Sequence, residues 1–324
     1  MSILLHNRLI AWQSHRATWN FIYLADKLLK HLIFILKKFL LKKERILTFL
    51  TFAILLFFIS YLAGLMGALT GLGGGIIVIP ALVLLFKIDI HYAMGAALIS
   101  VIATSSGATI AYLRKGYTNL RIGMFLETAA VLGALIGALL ITIISPTFLA
   151  TTFSLILFFS AYLTLQRREE QEHYTRSHPW ATRLNLNGTY PVKDQLETYQ
   201  VQHVPIAFFA MGIAGIFSGL LGIGSGALKV LAMDHALRLP YKVATATSNF
   251  MIGITAAVSA GVYFSYGYIH PIITFPVMLG VILGAFSGTK LLAHLHNRIL
   301  RFIFSAVMCV IGFEMLYKAS TGAI

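Results

Sequence analysis

Charge is what this chain lacks most. Only 11% of its 324 residues are Asp, Glu, Lys or Arg, against roughly 25% in an ordinary soluble protein. So few charges cannot cover a water-facing surface, and no single soluble core buries a chain that is 58% hydrophobic. Soluble enzymes and nucleic-acid-binding domains are excluded, and the chain reads as a polytopic membrane protein. Acidic residues are scarcer still, 11 against 25 Lys and Arg, which leaves a net charge of +14. In a membrane protein such an excess reflects loops held on the cytoplasmic side and contact with anionic lipid, not nucleic acid. The single cysteine, Cys309, allows neither an intramolecular disulfide nor a Cys-based metal site. No spacing such as H-E-x-x-H is present, so neither metal nor cofactor is expected. The chain also lacks a Walker motif, G-x-S-x-G and a paired-aspartate motif, which argues against ATP consumption and against an intramembrane enzyme.

Residues 1–45 stand apart. They carry nine basic and two acidic residues, half the net charge in a seventh of the length. Phe21, Leu24, Leu28, Leu32, Ile35 and Phe39 recur at spacings of three and four, with Lys27, Lys30, Lys37 and Lys38 between them. That pattern predicts a basic amphipathic helix lying among anionic headgroups. A solvated tail that only orients the protein fits the same composition.

From Ile46 onward the apolar runs are long enough to cross a bilayer, which takes about 20 helical residues. Spans are expected near 46–69, 91–113, 120–143, 147–165, 205–222, 241–264, 270–292 and 299–318. Segments 76–86 and 227–237 are too short to cross, and each follows a glycine cluster; both read as half-helices. A polar linker, 166–204, separates a first transmembrane repeat (46–165) from a second (205–324). Sliding the chain by 151 residues aligns 63–140 with 214–291 without a gap, and 18 of 78 positions are identical. The matches fall on glycines and turn tyrosines, so the halves are a duplication. Equivalent loops differ in charge. Arg114, Lys115 and Arg121 have no basic counterparts near 265–271, whereas Arg298 and Arg301 have none near 144–147. By the positive-inside rule those loops prefer opposite sides, the signature of an inverted repeat. The basic tail before Ile46 runs against this parity, which the sequence leaves open. The expected fold is therefore all-α: two homologous, inverted repeats with glycine-broken half-helices.

The sharpest local motif is Gly71-Leu72-Gly73-Gly74-Gly75, repeated as Gly222-Ile223-Gly224-Ser225-Gly226. A nucleotide fingerprint would need a preceding strand and a later acidic residue, and neither copy has them. Glycines breaking membrane helices at matching places in two repeats point instead to a binding site. Their other reading is close packing of helices.

With Pro80 after the first cluster and Pro240-Tyr241-Lys242-Val243-Ala244-Thr245-Ala246-Thr247-Ser248-Asn249-Phe250 after the second, the chain resembles the TauE/SafE permeases, also called the sulfite exporter or toluene-sulfonate uptake family. The resemblance spans roughly residues 46–318. It implies a multi-pass permease of the bacterial inner membrane that moves small anions, often sulfur-containing. It puts the family's glycine motif on Gly71, Gly73, Gly74, Gly75 and Pro80, and on Gly222, Gly224 and Gly226. Ser225 and Leu231 depart from the family pattern, and so does Ala93-Met94-Gly95-Ala96-Ala97, which lacks a Thr-Ser pair.

Ionisable groups within spans are costly and read as functional. Lys229, on the first turn of the second half-helix, together with the glycine clusters and Thr245, Thr247, Ser248 and Asn249, is expected to form an anion site. Snorkelling of Lys229, or its pairing with Asp234, is the alternative. Glu127, within a span, is the candidate for carrying a coupling proton; Glu314 lies near the membrane edge. Tyr112, Tyr117, Tyr263 and Tyr268 read as interfacial anchors. The expected partner is a small anionic substrate, with self-association, a channel mode and a scaffold or sensor role left open.

Overall fold

The computed structural model describes residues 50–68, 73–165, 177–192, 195–291 and 297–321. The basic tail and Gly71 lie outside the described residues. The chain divides into two compact units, 1–54 and 55–324. Of the first, the described residues 50–54 are helical. The packing described below is that of the second.

Helix α1 (Leu50–Ala68) leads to the short α2 (Gly75–Leu85). Then come α3 (Ile90–Arg114), α4 (Leu120–Thr142) and α5 (Pro146–Leu165). After the linker, α7 (Val204–Leu221) precedes the short α8 (Gly226–Leu231), followed by α9 (Tyr241–Ser265), α10 (Pro271–Leu291) and α11 (Asn297–Ser320). All eight expected spans are helical in their described residues except 143, 222 and 270, each at a span end. Among the described residues, six helices meet both the length and the hydropathy of a membrane span: α1, α3, α4, α7, α9 and α10. At 1.5 Å per residue their 18 to 25 residues cover about 27–38 Å, enough for a hydrocarbon core of about 30 Å.

The 151-residue shift reappears in the backbone. Gly75–Pro80 is α-helical and passes into a π-helical turn, Ala81–Leu85; Gly226–Leu231 does the same into Ala232–Ala236. The starts and ends of α3 and α9 are also 151 residues apart. Pro80 lacks the N–H that would continue the α ladder, but Leu231 keeps it and the π turn forms all the same. Proline is therefore not its cause. Lys87 and Arg238, again 151 apart, leave the two π turns with φ of 52° and 56°.

Packing repeats with the repeats exchanged. A Cβ on Gly133 would overlap the Gly212 carbonyl, and one on its mate Gly284 would overlap the Tyr61 carbonyl, the mate of Gly212. Gly64 and Gly215 stand in the same relation to Val281 and Ala130. Each half's fourth helix thus packs on the other half's first, backbone against backbone, as small residues permit in lipid. Along α4 and α7, contacts advance from Ala130–Gly215 to Ala134–Gly219, so the two helices run parallel. So do α1 and α10, from Phe57–Gly280 to Leu65–Gly288. The central α3 and α9 are antiparallel, with Gly95 at Tyr268 and Ser105 at Asn249.

The linker is more ordered than its composition indicated. Helix α6 (Pro179–Arg183) and a hairpin, β1 (Gly188–Val192) paired antiparallel with β2 (Gln195–Tyr199), form a cap. Ala181, Leu186, Tyr199 and Val201 bury their apolar surface against Ile122 and Leu126 of α4 and Met233 and Leu237 after α8.

Candidate functional site

Both glycine breaks converge between α3 and α9. A Cβ on Gly73 would sit 3.4 Å from Ile252 and 3.5 Å from Val101, and one on Gly224 would sit 2.8 Å from Val101 and 3.4 Å from Ile252. Val101 and Ile252 are themselves mates. Gly73 and Gly224 hold φ of 81° and 71°, a region open to glycine at no cost, so the chain reverses here without a side chain in the way. Gly75 completes the junction, its Cβ position 3.4 Å from the Gly222 carbonyl.

Ser225, in the place of Gly74, also adopts a left-handed conformation. Its hydroxyl donates to Ala214 O at 2.7 Å, tying the second break to α7. At Gly74 the corresponding Cβ would lie 3.5 Å from the Ala63 carbonyl, the mate of Ala214.

Lys229 follows one turn after Gly226 and is fully buried. It does not snorkel, and its partner is not Asp234. Its ammonium donates to Glu127 Oε2 at 3.3 Å and to the Thr255 hydroxyl. Thr255 in turn lies 2.5 Å from Glu127 Oε1 and 2.9 Å from Met251 O, so its one proton serves either. Glu127 is only 4% exposed. The substrate and coupling candidates are thus two ends of one buried ion pair. An ammonium has three donors. Two are engaged, and no third partner is present among the described residues.

At 100° per residue, Thr245, Ser248, Asn249, Ile252, Thr255 and Ser259 share one face of α9, turned toward the breaks. Ser248 donates to Gly226 O at 3.3 Å. Asn249 Nδ2 donates to Thr245 O at 3.1 Å, whereas Asn249 Oδ1 and the Thr245 hydroxyl are buried with no hydrogen-bond partner among the described residues. Buried polar atoms are nearly always paired, so two unpaired ones on the face that carries Thr255 suggest a place for a ligand. Thr247 falls on another face. Its hydroxyl accepts the Asn119 N–H at 3.1 Å, against α4.

Asn119 was missed in the sequence. It caps α4 through Ile122 N, and its amide donates to Leu186 O at 3.0 Å and to the Tyr199 hydroxyl at 2.7 Å. It therefore joins the cap to α9. Burial pushes the Tyr199 phenol above its usual range, while the Asn119 amide draws it back. Only the helix-capping preference of Asn could have drawn attention to this residue.

Two of the tyrosines are corrected. Tyr112 and Tyr263 are buried, and their hydroxyls donate to Ala68 O at 3.4 Å and Leu220 O at 2.9 Å. They satisfy carbonyls at the ends of α1 and α7, where those helices stop before the breaks. Glu314 pairs with Lys318 at 3.8 Å, partly exposed.

A polytopic helical bundle with a charged pair held among its buried central residues has the build of a membrane transporter. The chain belongs to the family described as "Sulfite exporter TauE/SafE", whose sequence profile matches residues 56–315. It is 25% identical over 275 residues to "Probable membrane transporter protein YunE" of Bacillus subtilis (strain 168), an alignment covering 82% of this chain and 97% of that one. It is 27% identical over 268 residues to "Probable membrane transporter protein YdhB" of the same organism, covering 81% and 100%. With "Probable membrane transporter protein YfcA" of Escherichia coli (strain K12) it shares 22% over 265 residues, 82% and 89% of the two chains. No solved structure matches.

Proposed function

We propose that the protein is a secondary transporter of small anions, sulfur oxyanions and sulfonates foremost, which bind at Lys229 beside the two glycine breaks. The observation that carries this reading is the fully buried ammonium, with one donor unused among the described residues. A cation at this depth is costly and is expected to earn its place by function. The Thr245 hydroxyl can add a neutral donor. Asn249 Oδ1 only accepts, so it suits an amino or hydroxyl group at the far end of the substrate, about 9 Å along α9 from Thr255. Taurine satisfies both ends.

Alternating access needs two bundles that can rock about a shared site, and an inverted repeat provides them. Chain directions support inversion. α1 and α3 end together at the Tyr112–Ala68 hydrogen bond, residues 115–119 turn α4 back, and α7 runs parallel to α4. The first helices of the two halves then oppose each other. The basic tail is read as a membrane-surface anchor on anionic lipid.

Flux into proteoliposomes tests the reading across sulfite, sulfate, sulfoacetate, taurine and small carboxylates, with and without a pH gradient. At least one anion is expected to move, and Lys229→Met to slow it at least tenfold. No flux for any of them sinks the proposal.

A further inference from the structure

We propose that anion and proton bind as a linked pair: an anion takes Lys229 from Glu127, and Glu127 takes up one proton as it is released. The inference rests on the anion reading above and adds its coupling. In the structure one ammonium faces one carboxylate, both cut off from solvent at 0% and 4% exposure. An anion at Lys229 would leave two negative groups against one positive group in an apolar bundle. Burying an unmatched charge there is expensive, and protonating the carboxylate removes the mismatch.

Among the described residues the neighbours offer no other group to absorb that charge; in the cap on the start of α4, Tyr199 is bound to Asn119 and Glu197 to Tyr190. Helix α7 carries no titratable residue, and α9 carries Tyr241, Lys242 and Tyr263, all near its two ends. Asp234 and His235 lie one to two turns beyond Lys229, in the π turn, and Arg121 lies at the start of α4. Among the described residues, Lys229 is the only ionic partner of Glu127. The balance is simple. The carboxylate gains a proton from solvent and becomes neutral, the ammonium keeps its three protons and changes partner, and a monoanion enters with no net charge added to the site.

Position supports the same conclusion. The mates of Lys229, Glu127 and Thr255 are Val78, Met278 and Thr104, so the equivalent place in the other orientation has the hydroxyl and no charge. The first half builds the equivalent turn with Val78 where the second has Lys229. The pair exists once, in a duplicated bundle that folds the same turn without it.

Calorimetry on the full chain in detergent tests the linkage, with methanesulfonate as the probe because it stays a monoanion across the working pH range. Titration in buffers of different ionisation enthalpy counts protons. Uptake of about one proton per methanesulfonate is expected, with affinity falling about tenfold per unit rise in pH where Glu127 is ionised. In Glu127→Gln the proton count should fall to zero and the pH slope vanish. No proton uptake by the natural chain, or an unchanged slope in Glu127→Gln, overturns the coupling; the proton count on the natural chain stands even if the variant does not fold. Failure of methanesulfonate to bind, or undiminished binding in Lys229→Met, instead overturns the anion site itself.

Discussion

Lys229 and Glu127 are each conspicuous in the sequence because an ionisable residue inside an apolar span needs a reason. Their pairing is not, because 102 residues separate them and periodicity says nothing of contacts between helices. The polar face of α9 could be read from 100° spacing, but Asn249 Oδ1 as an atom without a partner could not. The two mates, Val78 and Met278, supply a control for function against fold. Lys229→Val alone leaves a buried carboxylate with no cation and is expected to cost about 3–5 kcal/mol. Adding Glu127→Met should bring stability back to within about 1 kcal/mol of the natural chain, since apolar replacement of a whole buried pair is often neutral or better. Anion flux should stay lost in the double variant. Thermal unfolding and flux on the same preparation check both, and a double variant that still transports would remove the pair from the mechanism.

At the level of helices, the duplication was readable because its matches lie on glycines, and the structure gives the reason: those glycines are where helices of opposite halves touch. Gly137 meets the Ile216 carbonyl, and its mate Gly288 meets the carbonyl of Leu65, the mate of Ile216. A methyl group at Gly137 has nowhere to go except by parting α4 from α7, so Gly137→Ala is expected to cost about 1–3 kcal/mol by overpacking. Gly261, also helical, has nothing within 4 Å of its Cβ position. There alanine should stabilise by about 0.5–1 kcal/mol, the helix-propensity difference alone. Melting temperatures in detergent that moved the same way for both variants would contradict the packing. The cap escaped the sequence reading because its order depends on the bundle beneath it. A five-residue helix and two five-residue strands are too short to hold by themselves, and their polar composition reads as a loop.

For the molecule as a whole, the proposed inversion and the charge of the short loops predict which end of the bundle faces the cytoplasm. The end where α4 and α9 begin carries Arg114, Lys115, Arg121, Arg238 and Lys242 and bears the cap. At the other end, 143–145 and 266–270 hold no Lys or Arg, although Lys87 and Lys318 lie there too. In the short loops five basic residues against two favour the cap end as cytoplasmic, whereas Lys42, Lys43 and Arg45, directly before α1, weigh toward the other end, so the side of the cap is a prediction from the loops alone. Cysteine labelling decides it, because Cys309, partly exposed, is the only native thiol to replace first. Thr189→Cys, exposed on the cap, should react with a membrane-impermeant maleimide in inside-out vesicles and stay protected in whole cells. Ser265→Cys, exposed at the end of α9, should show the reverse. Reaction of both from the same side would rule out the proposed arrangement of α9 across the membrane, and with it a rocking mechanism in which Lys229 faces first one side and then the other.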